Sequence, residues 1–293
     1  MTVAEVSNLP PCRFPSPLPL PMKRYLLFLL LFTVLPSPAA DAPPAADSVK
    51  HSQWNGFERL DFKVDGRDCL LVLPKSPAPG NPWTWRTEFF GHEPQGDIAL
   101  LQKGFHAAYI DVQNMYGAPV AIGHMEKFHA FLTSNYHLSS RPVVEGFSRG
   151  GLFALNWAIA HPDRVSCLYL DAPVCDFKSW PAGFGKGKFS ADDWQRCKKL
   201  YNLASDDAAR SSKLNPVDQC EALAKGKIPI LTICGDADEV VPLAENSALI
   251  KECCEKLGLP VTLISKPGGL HHPHSLKDPA PIVEFVLKHT AEK

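Results

Sequence analysis

The sequence has almost no net charge, since 30 Lys and Arg residues stand against 31 Asp and Glu residues and give a formal charge of −1. Proteins that bind nucleic acid or an anionic membrane usually carry a basic excess, so neither partner is expected. No internal repeat is visible, and no cysteine spacing is typical of a zinc site. An apolar content of 45% and a charged content of 21% are instead typical of a globular domain of enzyme size.

The apolar run from Tyr25 to Leu35 is too short to span a bilayer as a helix, but it suits the core of a secretion signal. The basic pair Lys23-Arg24 precedes it, directly after Met22, which is a second candidate start of translation. Small residues at Ser37-Pro38-Ala39 precede a candidate cleavage site. We therefore expect residues 1–39 to be removed and the mature protein to be secreted or periplasmic, without a stable membrane span.

The nine cysteines fall into three groups. Cys12 lies in the segment expected to be removed, which leaves eight, and an even number permits disulfides in an exported protein. Three lie in strand-like apolar runs and are expected to be buried and unpaired: Cys69, Cys167 and Cys234. The other five are bridge candidates whose pairing the sequence leaves open: Cys175, Cys197, Cys220, Cys253 and Cys254.

Strand-like and helical segments alternate along most of the chain. After a polar, proline-rich lead-in over residues 40–55, expected to be mobile, Asp65-Gly66 joins two strands of a predicted hairpin. A β-α-β-α pattern follows, with apolar strands such as Ile228–Cys234. The pattern predicts one α/β domain over residues 56–293, with a mostly parallel sheet, helices on both faces and an antiparallel N-terminal hairpin. Residues from about 176 to 218 break the alternation and are expected to form an insertion.

The segment Gly146–Gly150 contains the pattern G-x-S-x-G around Ser148. By chance this pattern occurs in about one chain in ten of this size, so its context decides its value. A strand-like run precedes it, and a helical segment from Arg149 to Ala160 follows. This strand–turn–helix setting lifts the serine hydroxyl above the sheet and directs the first helical N–H groups toward it. Ser148 is therefore the candidate nucleophile.

A serine hydroxyl needs a base, and the base needs an acid to orient it. After a G-x-S-x-G nucleophile, the acid precedes the histidine along the chain. The apolar strand ending at Cys234 breaks into an acidic turn that offers Asp236 and Asp238. We choose Asp238 because Asp236 could cap the turn, and Asp171, at the end of the preceding strand, is a further candidate.

The candidate bases lie in a loop that contains His271, His272 and His274 after two glycines. We choose His271, with His272 as its rival, and expect His274 to hold the loop. A histidine cluster could also bind a metal ion. Pro273 stiffens this turn and no cysteine or carboxylate cluster adjoins it, so we expect no metal and no cofactor.

These residues resemble the α/β-hydrolase superfamily over Gly56 to Lys288. More narrowly, four stretches resemble bacterial secreted hydrolases described as prolyl-oligopeptidase-like or esterase-like: Pro82–Arg86, Phe89–Pro94, Ser148–Gly151 and Asp171–Pro181. The resemblance implies an α/β-hydrolase fold with the triad Ser148, Asp238 and His271.

The resemblance also implies an oxyanion hole made by the backbone N–H of Arg149 and one N–H from the loop after the third strand. The histidine-glycine run usual in that loop is missing, and Thr87-Glu88-Phe89-Phe90 stands in its place. Backbone donors do not require glycine, so we choose Phe89 as the second donor.

The expected reaction is hydrolysis of a carboxylic ester through an acyl-enzyme. Four residues could form a polar, aromatic rim that suits a small-molecule or glycan ester: Arg86, Asp176, Lys178 and Trp180. One alternative is a small prolyl-oligopeptidase-like peptidase, against which the lack of room for a large gating domain counts. Another is a catalytically inactive binding protein on the same fold, which would normally have lost a triad residue.

Overall fold

A computed structural model describes residues 49–290, in which nine strands form one sheet. The strands are β1 Lys50–Trp54, β2 Phe57–Val64, β3 Arg67–Leu73, β4 Trp83–Arg86, β5 His106–Ile110, β6 Val143–Phe147, β7 Cys167–Asp171, β8 Ile230–Gly235 and β9 Val261–Lys266. Their order is β1-β2-β3-β5-β4-β6-β7-β8-β9. The pairs from β1 to β5 are antiparallel, and the pairs from β5 through β4 to β9 are parallel.

Helices cover both faces of this sheet. They are α1 Gln95–Gln102, α2 Pro119–Asn135, α3 Gly150–Ala160, α4 Ala191–Leu200, α5 Asp206–Ser211, α6 Cys220–Gly226, α7 Ser247–Lys256 and α8 Ala280–Thr290. Strand side chains alternate between the faces, so Val144 packs with residues of α2, α3, α6 and α7, whereas its neighbour Val143 packs with residues of α1 and α8. The predicted mostly parallel sheet, its antiparallel N-terminal part and its two helical layers are confirmed.

The predicted insertion over residues 176–218 contains α4 and α5. Its aromatic side chains Phe177, Trp194 and Tyr201 are buried in one cluster with Leu152 of α3 and with Val241. The insertion is thus packed over the first turns of α3, which follows Ser148. An apolar cluster of this kind fixes the segment against the sheet domain.

Residues 40–55 are predicted to form a mobile lead-in, but the structure has a strand within this range. Lys50 to Trp54 form β1, in which Lys50 lies opposite Asp61 of β2. β1 is an edge strand with mostly exposed side chains, so it lacks the apolar alternation that reveals a half-buried strand. The predicted leader, residues 1–39, and the lead-in before residue 49 lie outside the described residues.

Every helix within residues 49–290 is too short or too polar to cross a membrane.

Candidate active site

Ser148 lies in a sharp turn between β6 and α3, with a positive φ of 50°. Its backbone N–H donates to the carbonyl of Asp171 at 2.9 Å, and its own carbonyl accepts from the N–H of Val174 at 2.8 Å. These bonds hold a conformation that a non-glycine residue rarely adopts. The turn therefore presents the serine hydroxyl at the carboxyl end of the central strands, as its sequence pattern predicts.

The glycines beside Ser148 allow the turn to pack closely. A Cβ atom on Gly146 would lie 2.9 Å from the Cβ of Ala154, which is closer than real Cβ contacts permit. A Cβ atom on Gly150 would lie 3.1 Å from the hydroxyl oxygen of Thr87, so its neighbour would have to shift slightly. Gly146 is therefore the more restricted position.

A chain of hydrogen bonds joins Ser148, His271 and Asp238. Ser148 Oγ lies 2.9 Å from His271 Nε2, and His271 Nδ1 lies 2.7 Å from Asp238 Oδ2. Because Nδ1 faces a carboxylate, it carries the proton and leaves Nε2 to accept one from the serine. The structure thus brings the three predicted residues into the geometry in which an imidazole can act as a general base.

Asp238 is buried, and its second oxygen accepts the backbone N–H groups of Val240 at 2.8 Å and Val241 at 2.9 Å. Burial raises the pKa of Asp238, but the hydrogen bonds from His271 and from these two N–H groups outweigh it. The resulting pKa lies below the usual value of an aspartate. Asp238 is therefore a carboxylate at neutral pH and can stabilise an imidazolium.

The loop that carries the acid and the loop that carries the histidine touch at a glycine. A Cβ atom on Gly235 would lie 2.2 Å from the carbonyl oxygen of Gly269. The N–H of Ala237 donates to the same carbonyl at 3.0 Å. The missing side chain of Gly235 lets the two loops lie side by side, which places His271 next to Asp238.

The rival acids make other contacts. Asp236 accepts the backbone N–H of Gly268 at 2.6 Å and ties the two loops together. Asp171 accepts from His274 Nδ1 at 2.7 Å and from the backbone N–H of Ser275 at 2.8 Å. Neither carboxylate bonds to His271 in the described part of the chain.

The rival base His272 is exposed, and its ring centroid lies 4.9 Å from that of His271. Partial burial and the neighbouring imidazoles of His274, His271 and His92 lower the pKa of His272. Its position beside the base, rather than against Ser148, makes it the weaker candidate for proton transfer.

The loop after β4 lies against the nucleophile turn. The Thr87 hydroxyl is 2.8 Å from the carbonyl of Glu145 and 2.9 Å from that of Gly150. Phe89 has a positive φ of 55°, and the guanidinium of Arg149 lies 5.2 Å from the centre of its ring. Within residues 49–290 the backbone N–H groups of Phe89 and Arg149 make no hydrogen bond. Both are therefore candidate donors to an oxyanion, as proposed from the sequence.

The side chain of Arg149 is held beside this loop by a carboxylate. Its Nε donates to Glu88 Oε2 at 2.5 Å, and its Nη1 donates to Asn114 Oδ1 at 3.0 Å. Burial raises the pKa of Glu88 to about 6, although the charge and hydrogen bond of Arg149 oppose it.

The expectation that Arg86 lines the substrate rim is wrong. Its side chain is 1% exposed, forms an ion pair with Asp97, lies 3.2 Å from a Glu145 oxygen and stacks 3.6 Å over the ring of Phe147. β4 lies between β5 and β6 and is covered on both faces, so a charge at its end must pair internally. Trp180 is only partly buried and lies 6.4 Å from the ring of Tyr116, so it remains a candidate wall.

The sequence prediction missed His92, which follows β4 but lies in space beside the histidine loop. Its ring centroid is 6.0 Å from that of His272 and 5.8 Å from that of His274. A lone histidine far along the chain from the cluster carries no sequence signal of this contact.

Comparison with known protein families shows that residues 110–293 match the prolyl oligopeptidase family. Similar solved structures include an acylaminoacyl peptidase from Pyrococcus horikoshii, with 16% identity, a TM-score of 0.56 and coverage of 77% of this chain and 38% of that one. Dipeptidyl peptidase 4 from Porphyromonas gingivalis has 15% identity and a TM-score of 0.57. The match covers 80% of this chain and 35% of that protein. At these identities the likeness shows a shared fold. The chain spans well under half the length of either protein.

Proposed function

Since the chain belongs to the prolyl oligopeptidase family and is a serine hydrolase, we propose that it cleaves amide bonds of peptides through an acyl-enzyme on Ser148. The observation that carries this proposal is the hydrogen-bonded chain from Ser148 through His271 to Asp238. A serine, a correctly oriented imidazole and a buried carboxylate together form the minimal set for acyl transfer.

In the proposed reaction, Ser148 Oγ attacks the peptide carbonyl while His271 Nε2 takes its proton. Asp238 keeps the proton on Nδ1 and stabilises the imidazolium that forms. His271 then gives the proton to the leaving amine, the C–N bond breaks, and an acyl ester remains on Ser148. Water, deprotonated by His271, hydrolyses that ester and restores the serine.

The negative oxygen of each tetrahedral intermediate would be bound by the N–H groups of Phe89 and Arg149. Removal of one such donor costs about 2.7–4 kcal/mol of barrier in a well-studied protease. The loop of Phe89 is held by the Thr87 hydroxyl, so this donor needs little reorganisation when the oxyanion develops.

Two observations favour a peptide over the sugar ester expected from the sequence. The named relatives of similar fold are peptidases. Arg86 lies in the interior, so it does not contribute to the polar rim on which the expectation of a carbohydrate rested.

A fluorophosphonate probe and a substrate panel test this function. We expect the probe to label Ser148 in the wild type and to leave Ser148→Ala unlabelled. We also expect cleavage of peptide p-nitroanilides, including N-acylated and proline-containing ones, and no cleavage of acetylated glycans. Cleavage confined to glycan esters would replace the peptidase function with an esterase, whereas an unlabelled Ser148 would favour a binding protein.

We further propose that the protein acts outside the cytoplasm. The basic pair before Tyr25–Leu35 supports this, and so does the disulfide between Cys220 and Cys253, because disulfides persist in oxidising compartments. N-terminal sequencing of protein from its native host should find a start near Ala40. Recovery from the cytosol with Met1 or Met22 at the N-terminus would contradict this proposal.

A further inference from the structure

Three histidine side chains from two loops meet beside the catalytic base. One is His92, in the loop after β4, and the others are His272 and His274, in the loop after β9. One ring nitrogen from each lies within 4.8 Å of those of the other two. The rings of His272 and His274 are the closest pair, with centroids 4.7 Å apart.

A buried carboxylate orients one of the three rings. Asp171 accepts from His274 Nδ1 at 2.7 Å, and both side chains are almost fully buried. This bond places the ring proton on Nδ1 and leaves the lone pair of Nε2 available. A histidine that binds a metal ion almost always donates its other N–H in this way, and the carboxylate makes it a better ligand.

The other two rings are exposed and adjustable. In the described part of the chain, no ring nitrogen of His92 or His272 makes a hydrogen bond. Four-coordinate zinc, with Zn–N distances of about 2.0–2.1 Å, sets ligand nitrogens about 3.3 Å apart. The separations must therefore close by at most about 1.5 Å, which rotation of two exposed side chains can supply.

We propose that His92, His272 and His274 bind one divalent transition-metal ion of the zinc class, with Asp171 as the partner that orients His274. Three neutral imidazoles suit zinc and its neighbours rather than calcium or magnesium, which prefer oxygen ligands. A set of three protein ligands leaves one coordination position for water or another small ligand.

The site is distinct from the triad, although it lies next to it. Both ring nitrogens of His271 are already engaged, Nδ1 by Asp238 and Nε2 by Ser148. The ring centroids of His271 and His274 are nevertheless only 4.9 Å apart. The sequence predicted no metal because no carboxylate cluster adjoins Pro273. In the fold, Asp171 orients His274 and His92 joins His272 and His274 as the third histidine.

Titration calorimetry with Zn²⁺ alone tests the proposal on the full chain, purified with a tag free of histidine and freed of metal by a chelator. We expect one equivalent to bind the wild type. His92→Ala should weaken binding at least about tenfold, and Asp171→Asn should weaken it about 10–100-fold. Cobalt in place of zinc should give the visible absorption bands of a four-coordinate ion, lost in His92→Ala.

Two control variants separate this site from other zinc-binding groups. His51→Ala removes an exposed histidine of β1 and should bind Zn²⁺ as the wild type does. Ser148→Ala should also bind it unchanged, because the nucleophile is not a ligand. Absence of binding by the wild type would overturn the proposal. Equal affinity in the wild type and His92→Ala, or loss of binding in Ser148→Ala, would overturn it too.

His92 lies on the surface, so its substitution leaves the core intact, and circular dichroism checks that Asp171→Asn is folded. If Asp171→Asn does not fold, His92→Ala still decides the matter. The measurement records binding and not turnover. Its outcome therefore does not depend on whether Ser148 cleaves peptides.

Discussion

Replacing Asp238 with Asn should abolish most of the activity while leaving the shape of the site unchanged. Oδ1 of the new amide can still accept the N–H groups of Val240 and Val241, which Asp238 now binds at 2.8 and 2.9 Å. The amide nitrogen must then face His271 Nδ1, 2.7 Å away in the wild type. An NH₂ group donates, so Nδ1 becomes the acceptor and the ring proton moves to Nε2.

The altered tautomer turns Nε2 into a donor that cannot take the proton of Ser148. In a well-studied protease the equivalent change lowers kcat about 10⁴-fold. A loss of this size corresponds to about 5.4 kcal/mol of barrier. We expect a loss of this order for Asp238→Asn, measured as kcat on a peptide p-nitroanilide, with an unchanged circular dichroism spectrum.

Asp171→Asn is the matched control, because Asp171 is also buried and also bonds a histidine. Its partner is His274 and not His271, so kcat should fall at most about tenfold, or about 1.4 kcal/mol. Asp236→Asn should have a still smaller effect, since Asp236 accepts the backbone N–H of Gly268, which the amide oxygen of Asn can also accept. If Asp171→Asn were as damaging as Asp238→Asn, the assignment of the acid would be refuted.

Three further outcomes follow from the same geometry. Ser148→Ala, His271→Ala and the double variant should show similar residual kcat values, because groups that act as a unit lose activity non-additively; additive losses would contradict joint action. Burial raises the pKa of Glu88 in the folded protein to about 6, so folded Glu88 keeps its proton up to about that pH. The wild type should therefore lose about 1.5 kcal/mol of unfolding free energy relative to Glu88→Gln as pH rises from about 4.5 to 6.5. Urea titrations at both pH values measure this, and a constant difference would refute it. Gly235→Ala should push the acid loop from the histidine loop and lower kcat with little change in KM, whereas wild-type kcat would show that the close approach is dispensable.

Much of the fold could be predicted from the sequence because its central strands are buried on both faces. Val143–Phe147, apolar apart from Glu145 and Gly146, and the mostly apolar Ile230–Gly235 are short strands that alternate with helical segments, and that alternation leaves few other topologies. The sequence did not predict β1, because this exposed edge strand pairs with β2 through its backbone. Backbone pairing does not require a particular pattern of side chains.

The triad was accessible from the sequence because each member lies just after a strand. The carboxyl ends of neighbouring parallel strands meet at one edge of a sheet, so Ser148, Asp238 and His271 converge there. The burial of Arg86 was not accessible, because the acidic side chains that face it, Asp97 and Glu145, come from separate elements. The same limit concealed the contact of His92 with the histidine loop.

Asp171 makes hydrogen bonds both to the nucleophile Ser148 and to the loop that carries the base His271. Its backbone carbonyl accepts the N–H of Ser148 at 2.9 Å, while its carboxylate binds His274 and the N–H of Ser275, in the loop that carries the base. A small displacement of the end of β7 therefore carries the nucleophile and the base in the same direction. We therefore expect the 2.9 Å distance between Ser148 Oγ and His271 Nε2 to be kept when the end of β7 shifts.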